Sequence, residues 1–367
     1  MPAPLDEYPI HQGPESMRWF VTSDRNVYDR CIMHALSPDG AHQVAVGLGV
    51  YPHVGVIDCY LAVRDGDRLS SLRVSHELGD DRMVQEVGPM RIEVVEPLSE
   101  VRFTCAPNAN GISADLTWTG AFPAVDEPRH IRRNGDVTIL DAFRFVQTAA
   151  VTGWVDVDGH RLDATAERWS GARDRSWGIR PVGEPTQPGR PPAGGPGMWW
   201  CWIPLRFETF ALMLVLEESP DGYRTINEAI RIRPDGTIEQ LGWAEPRVTY
   251  RSGTRYPTGA SIALRGRDGR ALDLEIEVLG PMPLSVGLGY GPDDDGWNHG
   301  RWMGHDWAQR VDHDLTAEPA STRMAWSMID HAARATFDGE TGYGIFEHLS
   351  LGRHDPSGFA DITSMAP

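Results

Sequence analysis

Short runs of β-branched, aromatic and aliphatic residues, cut by Gly, Pro, Asn and Asp, dominate the chain, and a helical repeat is rare. Residues 43–50 and 54–63 are apolar runs separated by a Tyr-Pro-His break, and Asp65-Gly66 follows as a hairpin turn. Residues 90–96, 101–105 and 112–118 continue a meander, each alternating between faces. Residues 17–33 fit a short helix or a strand, with Trp19 and Phe20 as packing anchors. Residues 141–150 could be scored as a helix by spacing, but the hairpin of 151–157, Asp158-Gly159 and 160–169 favours a strand before it as well.

Beyond residue 197 the same grammar returns. Met198-Trp199-Trp200-Cys201-Trp202 and residues 207–217 read as dense apolar strands, and turn signals recur at Pro220-Asp221-Gly222, Pro234-Asp235-Gly236 and Asp268-Gly269. Residues 343–351 predict the last strand. Such spacing marks an all-β sandwich or barrel. Between the two β-rich stretches, residues 182–197 carry five prolines and five glycines, enough to stop any regular element. The expected organisation is a first β domain over 1–181, a linker over 182–197 and a second β domain over 198–367.

Composition narrows the chemistry. All 34 basic residues are arginine, so Schiff-base, lysine-anchored pyridoxal phosphate and P-loop mechanisms are ruled out. A formal charge of −18 argues against nucleic acid or an anionic membrane as partner and leaves a small apolar molecule. Cys31, Cys59, Cys105 and Cys201 form no C-x-x-C pair, and no run of eighteen apolar residues occurs, so a soluble, cytoplasmic protein with free thiols is expected. No Gly-x-Ser-x-Gly or G-x-G-x-x-G element is present. His299, His305 and Asp306 lack any recognised ligand spacing, so neither a metal nor a cofactor is assigned.

The densest stretch is 168–181, with four arginines, one aspartate and two tryptophans in fourteen positions. Its expected setting is a strand end lining a cavity, where Trp177 supplies an apolar wall and guanidinium neighbours hold the charge of Asp174. A carboxyl whose pKa is raised by apolar walls can protonate an alkene or a hydroxyl, and indole faces stabilise the resulting cation. Asp174, Glu208, Glu347 and His348 are the candidate proton carriers. Trp200 and Trp202 share a strand face that Trp199 does not. The long loop 290–307 adds Trp302 and His305 as candidate ligand contacts.

At Arg173-Asp174-Arg175-Ser176-Trp177-Gly178 the chain resembles the carotenoid 1,2-hydratase-like family. Gln147, Gly153, Asp158-Gly159 and the strand to Trp169, with Gly342-Tyr343-Gly344 before Glu347-His348, agree with that likeness. The resemblance implies two consecutive lipocalin-like antiparallel β halves with few short helices, and hydratases, cyclases and related cofactor-free enzymes acting on terpenoid or polyketide substrates. It implies an Asp-His-x-Trp-Gly element near the ligand cavity. Asp174, Trp177 and Gly178 match it, whereas Arg175 stands where that family has histidine. The expectation is therefore a cofactor-independent hydratase or dehydratase of a hydrophobic, terpenoid-class substrate. Asp174, Trp177, Glu347 and His348 would be catalytic, and Arg175, Trp199, Trp200, Trp202, Trp302 and His305 would bind substrate. The alternative is a non-catalytic carrier of an apolar molecule. A homodimer is compatible with either.

Overall fold

A computed structural model describes residues 19–134, 137–182, 197–291, 294–325 and 327–367, together with Pro9, Pro14, Ser16 and Met17. The first run of strands comprises β1 (Val27–Leu36), β2 (His42–Tyr51), β3 (Val56–Asp65), β4 (Arg68–Glu77), β5 (Glu86–Val87), β6 (Met90–Glu96), β7 (Glu100–Cys105), β8 (Ile112–Gly120), β9 (Val125–Asp126), β10 (His130–Asn134), β11 (Val137–Val157), β12 (His160–Ala164) and β13 (Ser170–Ile179). The second comprises β14 (Gly197–Arg206), β15 (Ala211–Glu218), β16 (Arg224–Ile232), β17 (Ile238–Gln240), β18 (Glu245–Tyr250), β19 (Pro257–Arg265), β20 (Ala271–Gly280), β21 (Asp306–Asp314), β22 (Ile329–Phe337) and β23 (Glu340–Gly352). Among the described residues the one α-helix is α1 (Ala320–Met324), and no helix is long and apolar enough to cross a membrane.

Two curled antiparallel sheets result, as the spacing of turns predicts. The first runs β21-β4-β3-β2-β1-β13-β11-β8-β7-β6-β5, with β9, β10 and β12 also on β11; the second runs β17-β16-β15-β14-β23-β22-β20-β19-β18. One strand departs from a strictly sequential arrangement. β21 belongs by sequence to the second half, yet it pairs with β4 of the first sheet from Asp306↔His76 to Asp314↔Arg68. The segment before it packs Leu284, Val286, Leu288 and Trp297 against Ala45, Tyr60, Ala62 and Leu69 on the outside of that sheet. Most of the predicted linker, residues 183–196, lies outside the described residues.

Three apolar layers follow from strands that are buried on both faces. Met33, Val46, Leu61 and Trp118 fill the interior of the first sheet, and Cys201, Leu214, Leu274 and Phe346 that of the second. Between them, the outward faces of both sheets meet through Leu36, Val146, Ala172, Trp200, Trp202, Val215 and Ile345. This explains why 43–50, 54–63 and 211–217 read as unbroken apolar runs: alternation is lost when neither face meets water. Where one face is solvated the alternation survives, as in β20.

Residues 141–150 are strand, being part of the 21-residue β11. Within 17–33 regular structure begins only at Val27, and Trp19, taken as an anchor from sequence, is 56% exposed. Gly178 in β13 sits at φ +134, and a Cβ there would lie 2.1 Å from the carbonyl oxygen of Asp141 on β11. A side chain fits neither the backbone angle nor the space. Gly178→Ala is therefore expected to destabilise the protein by about 2 kcal/mol or more. An unchanged urea midpoint in this variant would show that β13 and β11 can part at no cost.

Candidate active site

The register of three central strands of the first sheet builds one wall. Asp174 on β13 stands between Ile32 of β1 and Val146 of β11, facing away from the first barrel's interior. Arg144, two residues along β11 from Val146, shares that face. Its Nε lies 3.9 Å from Asp174 Oδ1, and its Nη1 donates to Glu127 Oε2 at 2.7 Å. The opposite wall is the outer face of the second sheet, where Glu347 on β23 stands opposite Trp202 of β14 and Asp330 of β22.

Polar contacts tie the walls together. Trp202 Nε1 donates across the layer to Glu127 Oε1 at 2.6 Å, whereas within the second wall Trp200 Nε1 donates to Glu347 Oε1. His34 Nε2 of β1 lies 3.0 Å from Asp330 Oδ2, and Gln43 Nε2 donates to the Asp330 carbonyl at 2.8 Å. Both indoles thus have their one polar atom satisfied, which fixes the rings, and one face of Trp200 is stacked on His130 at 5.1 Å.

Burial dominates the proton affinities. It pushes Asp174 up to about 7; Arg144 opposes the shift, while Glu127 and Glu347 add to it. Burial raises Asp330 to about 7 and Glu347 well above the usual carboxylate range, where the Asp330 carboxyl adds to the effect. His34 is driven down to about 4 by the same cause, so it is neutral at physiological pH. At neutral pH Glu347 therefore keeps its proton, and Asp174 and Asp330 are each about half protonated.

A stability signature follows. Asp174 and Asp330 release their protons near pH 7 when folded but near pH 4 when unfolded, so between these values the unfolded chain binds fewer protons. Raising pH from 4 to 7 therefore drains stability, and below pH 4 these two groups contribute no slope. Asp174→Asn removes one of them and is expected to unfold a few degrees higher than the wild type at pH 8, with a shallower decline between pH 4 and 7. An identical pH profile of Tm in the two proteins would contradict the raised carboxyl.

Asp174, Glu347, Trp200 and Trp202 border a cavity of about 310 Å³ between the two sheets, with Met198, Leu284 and Met328 as apolar lining. The other residues singled out from sequence lie elsewhere. Trp177 is 39% exposed and stacks on Phe143 at 6.4 Å, on the strand face opposite Asp174. Arg173 and Arg175 also point away from Asp174: Arg175 Nε donates to Asp29 Oδ1 at 2.9 Å, and Arg173 Nε donates to Gln147 Oε1 at 2.9 Å. The guanidinium near Asp174 is Arg144, not its chain neighbours, because successive strand residues alternate faces.

Trp199 and His348 face the second barrel's interior, where Trp199 stacks on His354. His348 is enclosed by Tyr250 Oη at 2.9 Å and the Trp200 carbonyl at 2.8 Å, and burial drives it down to about 3. Trp302 is 47% exposed and packs its ring against His305, which lies 3.3 Å from Glu77 on the surface. Glu208 is exposed on a turn. Sequence reasoning missed Arg144, which lines the cavity, and Glu127, Asp330 and His34, which sit behind that lining through pairings between distant strands. Among the described residues, no group of three His, Cys, Asp or Glu side chains is arranged to hold a metal ion.

The profile of a family of unknown function, DUF8625, matches residues 3–360. The chain belongs to DUF8625. No curated protein sequence matches this DUF8625 chain. Its fold is that of kievitone hydratase from Nectria haematococca, with a TM-score of 0.50 over 88% of each chain at 13% identity. CghA with Sch210972 is similar, with a TM-score of 0.50 over 89% of each chain at 12% identity. The double-barrel architecture that the motif around Asp174 led one to expect is thereby shown for this chain as a fold.

Proposed function

We propose that this chain is a hydratase or dehydratase working by acid–base catalysis with its own carboxyls, on a hydrophobic, terpenoid-class substrate held between the two barrels. The observation that carries the reading is Asp174: a buried carboxyl raised to about 7 at the edge of an indole-lined cavity. Such a group is about half protonated at neutral pH, so it supplies an acid, and it becomes a base once it has given up its proton. In the hydration direction Asp174 delivers its proton to one alkene carbon, the neighbouring carbon becomes cationic, and the faces of Trp200 and Trp202 stabilise it. Water then forms the new C–O bond and returns a proton to the Asp174 carboxylate. Dehydration is the same path reversed. The likeness of the fold to a hydratase supports the reaction class.

Incubation with prenylated alkenes in ¹⁸O-labelled water tests this directly. Label in a product alcohol, dependent on the protein, is expected. Recovery of every alkene and alcohol chemically unchanged, with binding intact, would instead identify a carrier.

A further inference from the structure

The cavity holds more positive charge than proton transfer needs. Among the described residues four guanidiniums line it: Arg30, Arg132, Arg144 and Arg180. Arg144 is paired with Glu127, and Arg132 Nε lies 3.3 Å from Glu217 Oε1. No carboxylate lies within 4.0 Å of the Arg30 or Arg180 guanidinium among the described residues, although Arg30 is only 4% exposed. The two flank the same pair of rings: Arg30 Cζ is 5.3 Å from the Tyr28 centroid and 5.2 Å from that of Tyr290, and Arg180 Cζ is 5.5 and 5.8 Å away. Ring faces offset only part of the cost of burying a cation, and the buried Asp58 acts on Arg30 without touching it, so the two-guanidinium cluster has no carboxylate in contact and is incomplete.

The geometry points to a carboxylate receptor: Arg30 and Arg180 bind the carboxylate of an unsaturated, isoprenoid-type acid whose alkene lies toward Asp174. This inference rests on the reading of the cavity as the reaction site and adds the class of substrate. Planar guanidiniums match a two-oxygen anion better than any neutral head. An anion also resolves a conflict within the cavity, because a cation developing beside two guanidiniums that no carboxylate touches would be opposed by both. With the carboxylate seated, that end of the site carries less net charge and the indole faces act unopposed. A cavity of about 150 Å³ holds benzene, so about 310 Å³ accepts on the order of a dozen heavy atoms, the size of a ten-carbon acid.

The test is calorimetric titration of the full chain at pH 7.5 with geranate and with geranamide, its neutral isostere. Geranate is expected to bind roughly 10-fold tighter or better. Arg30→Gln and Arg180→Gln are each expected to weaken geranate by roughly 10–100-fold while leaving geranamide within about 3-fold. Arg30→Lys keeps the charge and recovers part of the loss, which separates charge from packing. Equal affinity for acid and amide, failure of geranate to bind, or equal losses of both ligands in the Gln variants would each overturn the inference. Should Arg30→Gln not fold, Arg180→Gln carries the same comparison. Asp174→Asn is expected to keep geranate binding, so a failure of the proposed acid and a failure of the carboxylate receptor are seen separately.

Discussion

Asp174→Asn is expected to lower turnover by roughly 10²–10⁴-fold, the usual worth of a positioned proton donor. The amide keeps the volume and polarity of the carboxyl between Ile32 and Val146 but has no acidic proton to give. Folding is expected to be intact, since the native carboxyl is itself neutral over much of the pH range. In the wild type the protonated fraction falls through about pH 7, so a rate limited by alkene protonation drops about tenfold per pH unit above that value. A steady-state pH–rate profile checks both statements. Full activity in the variant, or a rate that stays flat from pH 6 to 9, would remove Asp174 from the mechanism.

Trp202→Ala is expected to cost about 3–5 kcal/mol of stability, more than removal of any other single cavity-wall contact described above. The indole is 3% exposed in the apolar layer between the sheets, and its Nε1 is bound to Glu127 across that layer. Truncation leaves a void and strips a buried carboxylate of one of its two partners. Chemical denaturation measures the loss. A change below about 1 kcal/mol would mean that the two barrels are held together elsewhere.

How much of this is legible in the sequence depends on the range of the interaction. Turn residues and period-two alternation are local, and they sufficed for the all-β class, for the strand at 141–150 and for the split of Trp199 from Trp200 and Trp202. The same alternation should have separated Arg173 and Arg175 from Asp174, since adjacent strand positions face opposite ways. Density of charge in the chain suggested proximity that the pleat forbids. The residues that set the proton affinity of Asp174 come from β11, the segment beside β9 and β23, and no local pattern encodes which long-range register brings Arg144, Glu127 and Glu347 to one place. Trp302 and His305 attracted notice by composition, but they sit on a stretch whose apolar members, not its aromatic tip, make the inward contacts.

The pairing of β21 with β4 has a consequence for biosynthesis. As the chain leaves the ribosome, all of β1–β13 emerges well before residues 306–314, so the edge of β4 stays open while the second barrel is still being made. An unpaired edge next to exposed Tyr60, Ala62 and Leu69 is a template for association with other nascent chains. The amino-terminal half is therefore expected to need residues 306–314 to close its edge. Premature termination anywhere between the two barrels is expected to yield aggregates rather than a single soluble barrel.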